Sequence, residues 1–125
     1  MSVEPGLSAR VELTVEESDT AYAIGSGDVH VLGTPRVVAL CEEAAVHALR
    51  GSLPKGQTSV GHTIQLDHVA PSLVGSRVTA EATLQKVIGR RLTFTVSVLD
   101  ANGLVAAGIV SRVVVDTERF LESAR

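Results

Sequence analysis

The stretch Thr34-Pro35-Arg36-Val37-Val38-Ala39-Leu40-Cys41-Glu42-Glu43-Ala44-Ala45-Val46-His47-Ala48-Leu49-Arg50-Gly51 decides the fold. Thr34 has a hydroxyl able to cap free amides, and Pro35 brings the fixed φ of a first helical turn, so a helix opens here. Gly51 and Pro54 stop it, which predicts a helix from 34 to about 50. Its apolar residues cover nearly the whole circumference, as expected of a helix that is enclosed rather than laid on a surface. Ala39, Ala44, Ala45 and Ala48 would let a neighbouring element approach closely.

Before this helix, residues 9 to 16 alternate apolar and polar, the period of a strand with one buried face. After it, runs at about 58 to 69, 76 to 88, 91 to 100 and 104 to 116 are rich in Val, Thr, Ile and Leu. Gly89 and the Asp100-Ala101-Asn102-Gly103 segment mark tight turns between antiparallel neighbours. One helix and five strands joined mostly by short turns give an α+β arrangement in which the helix covers one face of an antiparallel sheet. Residues 18 to 33, with Gly25, Gly27 and Gly33, show no sustained period and predict a long ordered loop, a length that is often functional.

The chain of 125 residues suits a single domain spanning 1 to 125, and its 45% hydrophobic content predicts that it folds. A net charge of −3, no basic block and only Tyr22, Phe94 and Phe120 as aromatics argue against nucleic-acid binding. No apolar run reaches the roughly 18 residues of a membrane span, and the first ten residues lack the pattern of a signal peptide. The single Cys41 excludes an internal disulfide and supplies no ligand set for structural zinc. These features predict a cytoplasmic protein with no metal and no membrane partner.

Three segments in order narrow the fold further: Val31-Leu32-Gly33-Thr34-Pro35 leading to Glu42-Glu43-Ala44; Ser59-Val60-Gly61-His62 leading to Asp67-His68; and Gly89-Arg90-Arg91-Leu92 followed by Arg112-Val113-Val114-Val115. Together they resemble the small hotdog acyl-CoA thioesterases, most of all the fluoroacetyl-CoA thioesterase type, over roughly residues 10 to 120. The resemblance implies a hotdog fold, with one long central helix wrapped by a five-stranded antiparallel sheet. It also implies hydrolysis of a short or medium acyl-CoA to free acid and coenzyme A. Coenzyme A then belongs to the substrate, and no separate cofactor is expected.

A carboxylate among Val38, Cys41, Ala45 and Val46 is costly unless it is paired or does chemical work, but composition alone does not choose between Glu42 and Glu43. The resemblance selects Glu42 as the catalytic carboxylate, His68 as the catalytic histidine, Thr34 as an active-site residue and the Gly61 amide as donor to the thioester oxygen. Glu43 is then the exposed neighbour of His47 four residues on. His62 is expected to share a strand face with His68. Arg90 and Arg91 at a turn, with Lys86 and Arg112 nearby, offer a basic cluster for the phosphates of coenzyme A.

About 12 Å of helical rise separates Thr34 from Glu42, too far for a direct hydrogen bond. Hotdog relatives pair as dimers with sites at the interface, so a homodimer or dimer of dimers in which each site mixes two subunits is expected. Fluoroacetyl-specific relatives carry paired phenylalanines in a lid just before the threonine. Gly25 to Val31 hold no aromatic here, which predicts a pocket for ordinary acyl groups lined by Tyr22, Val31 and Leu32. Two other outcomes stay open: a hotdog module that binds acyl-CoA without turnover, and an enoyl-CoA hydratase. Whether Glu42 activates a water or attacks the carbonyl to form an anhydride is also open.

Overall fold

The computed structural model describes residues 3 to 124. Five strands, β1 (Ser8–Thr14), β2 (Gln57–His68), β3 (Arg77–Ile88), β4 (Arg91–Asp100) and β5 (Gly103–Asp116), form one sheet in the order β1-β3-β4-β5-β2, every pair antiparallel. Alongside them lie α1 (Ala21–Ile24), the long α2 (Thr34–Ala48) and α3 (Thr117–Ser123). This is the expected α+β hotdog arrangement. The hairpin turns fall at Gly89 and at 100 to 103 as predicted: Ile88 pairs with Arg91, and Asp100 with Gly103.

Alternation along the strands builds the core. Val78, Ala80, Ala82 and Leu84 of β3 and Leu92, Phe94, Val96 and Val98 of β4 turn one face toward α2 and are buried. The helix answers with Val37, Leu40, Cys41, Ala44, Ala45 and Ala48, a stripe at helical spacing that packs chiefly on β1 and β3. Small residues on both sides allow helix and sheet to approach closely, and Phe94 is the largest fully buried side chain. Within one chain the helix is less enclosed than its composition predicts: Ala39 is exposed and Val46 is 40% exposed.

Three further differences from the sequence expectations have local causes. Residues 18 to 33 are not irregular. A 3-10 turn at Glu17–Asp19 leads into α1, and Thr20 pairs with Leu32, and Val31 with Leu73, as isolated bridges. Asp19, only 8% exposed, anchors the segment by accepting from the Glu16 amide at 2.8 Å and from Arg36 Nε at 3.0 Å. Second, α3 was not anticipated; Asp116 precedes it and Glu118 lies in its first turn, which favours a helix N-terminus electrostatically. Third, Gly33 and not Thr34 is the N-cap of α2, and no side chain caps this end. A Cβ at Gly33 would press on Ile24 and the Ala21 backbone, so glycine is needed where α1 crosses the start of α2.

Candidate active site

The hydroxyl of Thr34, freed from capping, shares a hydrogen bond of 2.8 Å with His68 Nδ1 at the end of β2. His68 Nε2 is buried and makes no hydrogen bond. The pair opens onto a pocket of about 320 Å³ whose other walls are aliphatic or small: Ala21, Gly27, Val29, Val31, Leu32 and the 69 to 71 segment. Its lid is the 18 to 33 segment, tied down by the bond from the Leu32 amide to the Ser72 carbonyl at 2.9 Å. Val31 and Leu32 line the pocket as expected. Tyr22 does not; it lies 58% exposed and stacks on His30, which binds Glu17.

A second group surrounds Glu42. Its Oε2 accepts from Arg112 Nη1 at 3.1 Å, and the same guanidinium donates from Nε to Ser59 Oγ at 2.8 Å and from Nη2 to the Ser59 carbonyl at 3.0 Å. Gly61 lies directly beneath Oε2, so close that a Cβ there would collide with the carboxylate. Glu42 is half-buried, its side chain 34% exposed, rather than shut away from water. Burial lowers the Arg112 pKa from its ordinary value, and the Glu42 charge opposes that shift. Burial, assisted by the Glu42 charge, pushes the Cys41 thiol up to about 11. Glu43 is exposed, but His47 bonds Arg50 and not Glu43.

A β-bulge sets the geometry along β2. Gly61 pairs with Arg112 and Thr63 with Ser111, so His62 is an extra residue. The bulge reverses the alternation expected for this strand. Gly61, Ile64, Leu66 and His68, opposite Arg112, Val110, Gly108 and Ala106, share the inner face, while His62 turns toward Ser111 on the other. Gly61 and His68 thus face the same side but lie roughly 20 Å apart along the strand. Glu42 does not line the pocket that holds Thr34 and His68, so within one chain the predicted site residues form two halves.

The basic cluster also divides. Arg112 pairs with Leu92 on the core face, whereas Arg91 pairs with Val113 on the outer face. Arg90 and Arg91 are exposed, and Arg90 Nη1 donates to the Val114 carbonyl at 3.2 Å. Arg112, expected beside them, is buried and directed at Glu42 because it alternates with Val110 and Val114 along β5. That alternation was a usable signal in the sequence. Ser59, two residues before Gly61, carried none by itself. Among the described residues no His, Cys, Asp and Glu group is placed to hold a metal ion, and no helix is long and apolar enough to cross a membrane.

Fold and site together define a hotdog protein of the thioesterase kind. Residues 15–118 match the family model described as fluoroacetyl-CoA-specific thioesterase, and the chain belongs to this family of thioester hydrolases. It is 36% identical over 95 residues to the fluoroacetyl-CoA thioesterase of Streptantibioticus cattleyicolor, covering 76% of this chain and 68% of that protein. A solved structure of a fluoroacetyl-CoA thioesterase superposes with a TM-score of 0.91 at 28% identity, covering 98% of this chain and 95% of that one. A hot-dog-like protein from Thermanaerovibrio acidaminovorans gives a TM-score of 0.87 at 30% identity, covering 94% and 87% of the two chains.

Proposed function

We propose that this chain hydrolyses short or medium aliphatic acyl-CoA thioesters in the cytoplasm, in a site completed across a two-fold homodimer. The observation that carries it is the division of the site residues between two halves on one face of an edge strand. β2 lies at the end of the sheet, and residues 61 to 65 on it are exposed. Such a free edge is a template for pairing with another strand. If two copies of β2 pair antiparallel about a two-fold axis near Gln65, Ile64 of one copy lies opposite Leu66 of the other. The bulged Gly61–His62 step then lies opposite the second copy's His68, on the matching face. Each site thereby takes Glu42 and Gly61 from one subunit and Thr34 and His68 from the other.

In that site the acyl chain occupies the aliphatic pocket and the thioester carbonyl reaches the Gly61 amide, which receives the developing oxyanion. Glu42 either takes a proton from the attacking water or adds to the carbonyl itself, giving an anhydride that water then opens. The C–S bond breaks, the thiolate leaves and acquires a proton, and the acid departs. Thr34 and His68 orient the substrate and pass protons at Oγ1 and Nε2. Arg90 and Arg91 hold the phosphates of coenzyme A from the outer rim. The lid turns Gly27, Val29 and Val31 into the pocket, and its stacked Tyr22–His30 pair lies outside the lining, which supports ordinary acyl groups over fluoroacetyl as the substrate.

A panel of saturated acyl-CoA substrates followed by thiol release tests this. Turnover is expected, with Glu42→Gln and His68→Ala each lowering kcat by on the order of 10² to 10⁴. Stoichiometric acyl-CoA binding without thiol release would instead identify a binding module, and consumption of an enoyl-CoA without thiol release would identify a hydratase.

A further inference from the structure

We infer that Arg112 is a positioning residue for Glu42, held in place by Ser59, and takes no part in binding the phosphates of coenzyme A; this rests on the role proposed above for Glu42. A guanidinium whose side chain is 7% exposed is costly to keep in a protein interior unless its donors are matched. Here Ser59 fixes the fork at two points, Nε to Oγ and Nη2 to the carbonyl, and the third nitrogen, Nη1, is thereby aimed at Glu42 Oε2. Among the described residues Glu42 Oε1 has no hydrogen-bond partner, so one oxygen is held and the other is left for water or the acyl carbon. Gly61 closes the arrangement from below by leaving room for Oε2 and nothing larger.

Without this clamp a half-buried glutamate with one side open to solvent keeps several rotamers, and the carboxylate spreads over positions an ångström or more apart. A misplacement of about 1 Å in a reacting group can cost on the order of 10²-fold in rate. Phosphate binding by Arg112 would require its guanidinium to leave Ser59 and cross from the core face of the sheet to the face that bears Arg91.

The test compares an acyl-CoA that the parent hydrolyses with the same acyl group on N-acetylcysteamine, which has no phosphate. Arg112→Gln should lower kcat on the order of 10²-fold on both substrates, with KM for the acyl-CoA changed by less than about twofold. Ser59→Ala should lower kcat by roughly five- to tenfold on both, with an unchanged melting temperature, and Ser59→Thr should restore most of it. Because Arg112 acts through Glu42, adding Arg112→Gln to Glu42→Gln should cost less than about twofold more. A raised KM confined to the acyl-CoA substrate would make Arg112 a phosphate ligand and overturn the inference. Full additivity with Glu42→Gln, or full activity in Ser59→Ala, would overturn it too. A parent that releases no thiol from either substrate defeats the hydrolase reading itself, a result separate from any of these.

Discussion

Replacing Gly61 by alanine places a methyl group against Glu42 Oε2, about 1 Å inside ordinary van der Waals separation. The obstacle is the far end of a flexible side chain, not backbone, and Gly61 does not have a left-handed φ, so alanine itself is unstrained there. The carboxylate must therefore yield, giving up its 3.1 Å bond to Arg112 while the strand stays in place. Displacement of about 1 Å predicts a fall in kcat on the order of 10²-fold. The exposed edge of the carboxylate can rotate toward solvent, so the cost in stability should be about 1 kcal/mol or less, a shift of a few degrees in melting temperature. Thiol release measured with saturating acyl-CoA, alongside a thermal melt, separates the two effects. A Gly61→Ala protein with kcat within about threefold of the parent would refute the placement of Glu42 at the reacting centre.

Thr34→Val removes the hydroxyl that meets His68 and leaves α2 without any lost cap, because Gly33 is the N-cap. Turnover should drop at least about tenfold while the melt moves less than the roughly 1 kcal/mol that a lost threonine cap costs. Ile64→Lys puts a charge on the exposed edge of β2, and sedimentation should show a monomer whose turnover is at least about tenfold lower. The Cys41 thiol is raised from 9.0 to about 11 in the fold, so its neutral form contributes stability that is full below about 9. That contribution is lost as pH rises through about 11, and the parent's melting temperature should fall more steeply than that of Cys41→Ala over this window.

The strands and the long helix were legible because their periods are local: alternation places Val78 to Leu84 on one face, and the Thr34-Pro35 start and Gly51 stop bound α2. The lid was not, because its order comes from distant partners, Leu32 with Ser72 and Asp19 with Arg36, which no local pattern encodes. The same holds at the site. Simple alternation puts His62 on the face of His68, whereas the bulge at that residue hands the place to Gly61. Arg112 looked like part of a surface cluster when taken with Arg90 and Arg91. Its alternation with Val110 and Val114 was there to be read, and the register against Leu92 puts that alternation on the core face, toward Glu42.

Mixing two inactive subunits tests the shared site most directly. Glu42→Gln and His68→Ala chains, each inactive alone, are co-refolded in equal amounts so that about half of the dimers are mixed. Each mixed dimer then carries one site with an intact Glu42 from one subunit and an intact His68 from the other, and thiol release should recover to about a quarter of the parent's specific activity. If the mixture stays as inactive as its components although mixed dimers have formed, the two residues do not meet across the interface.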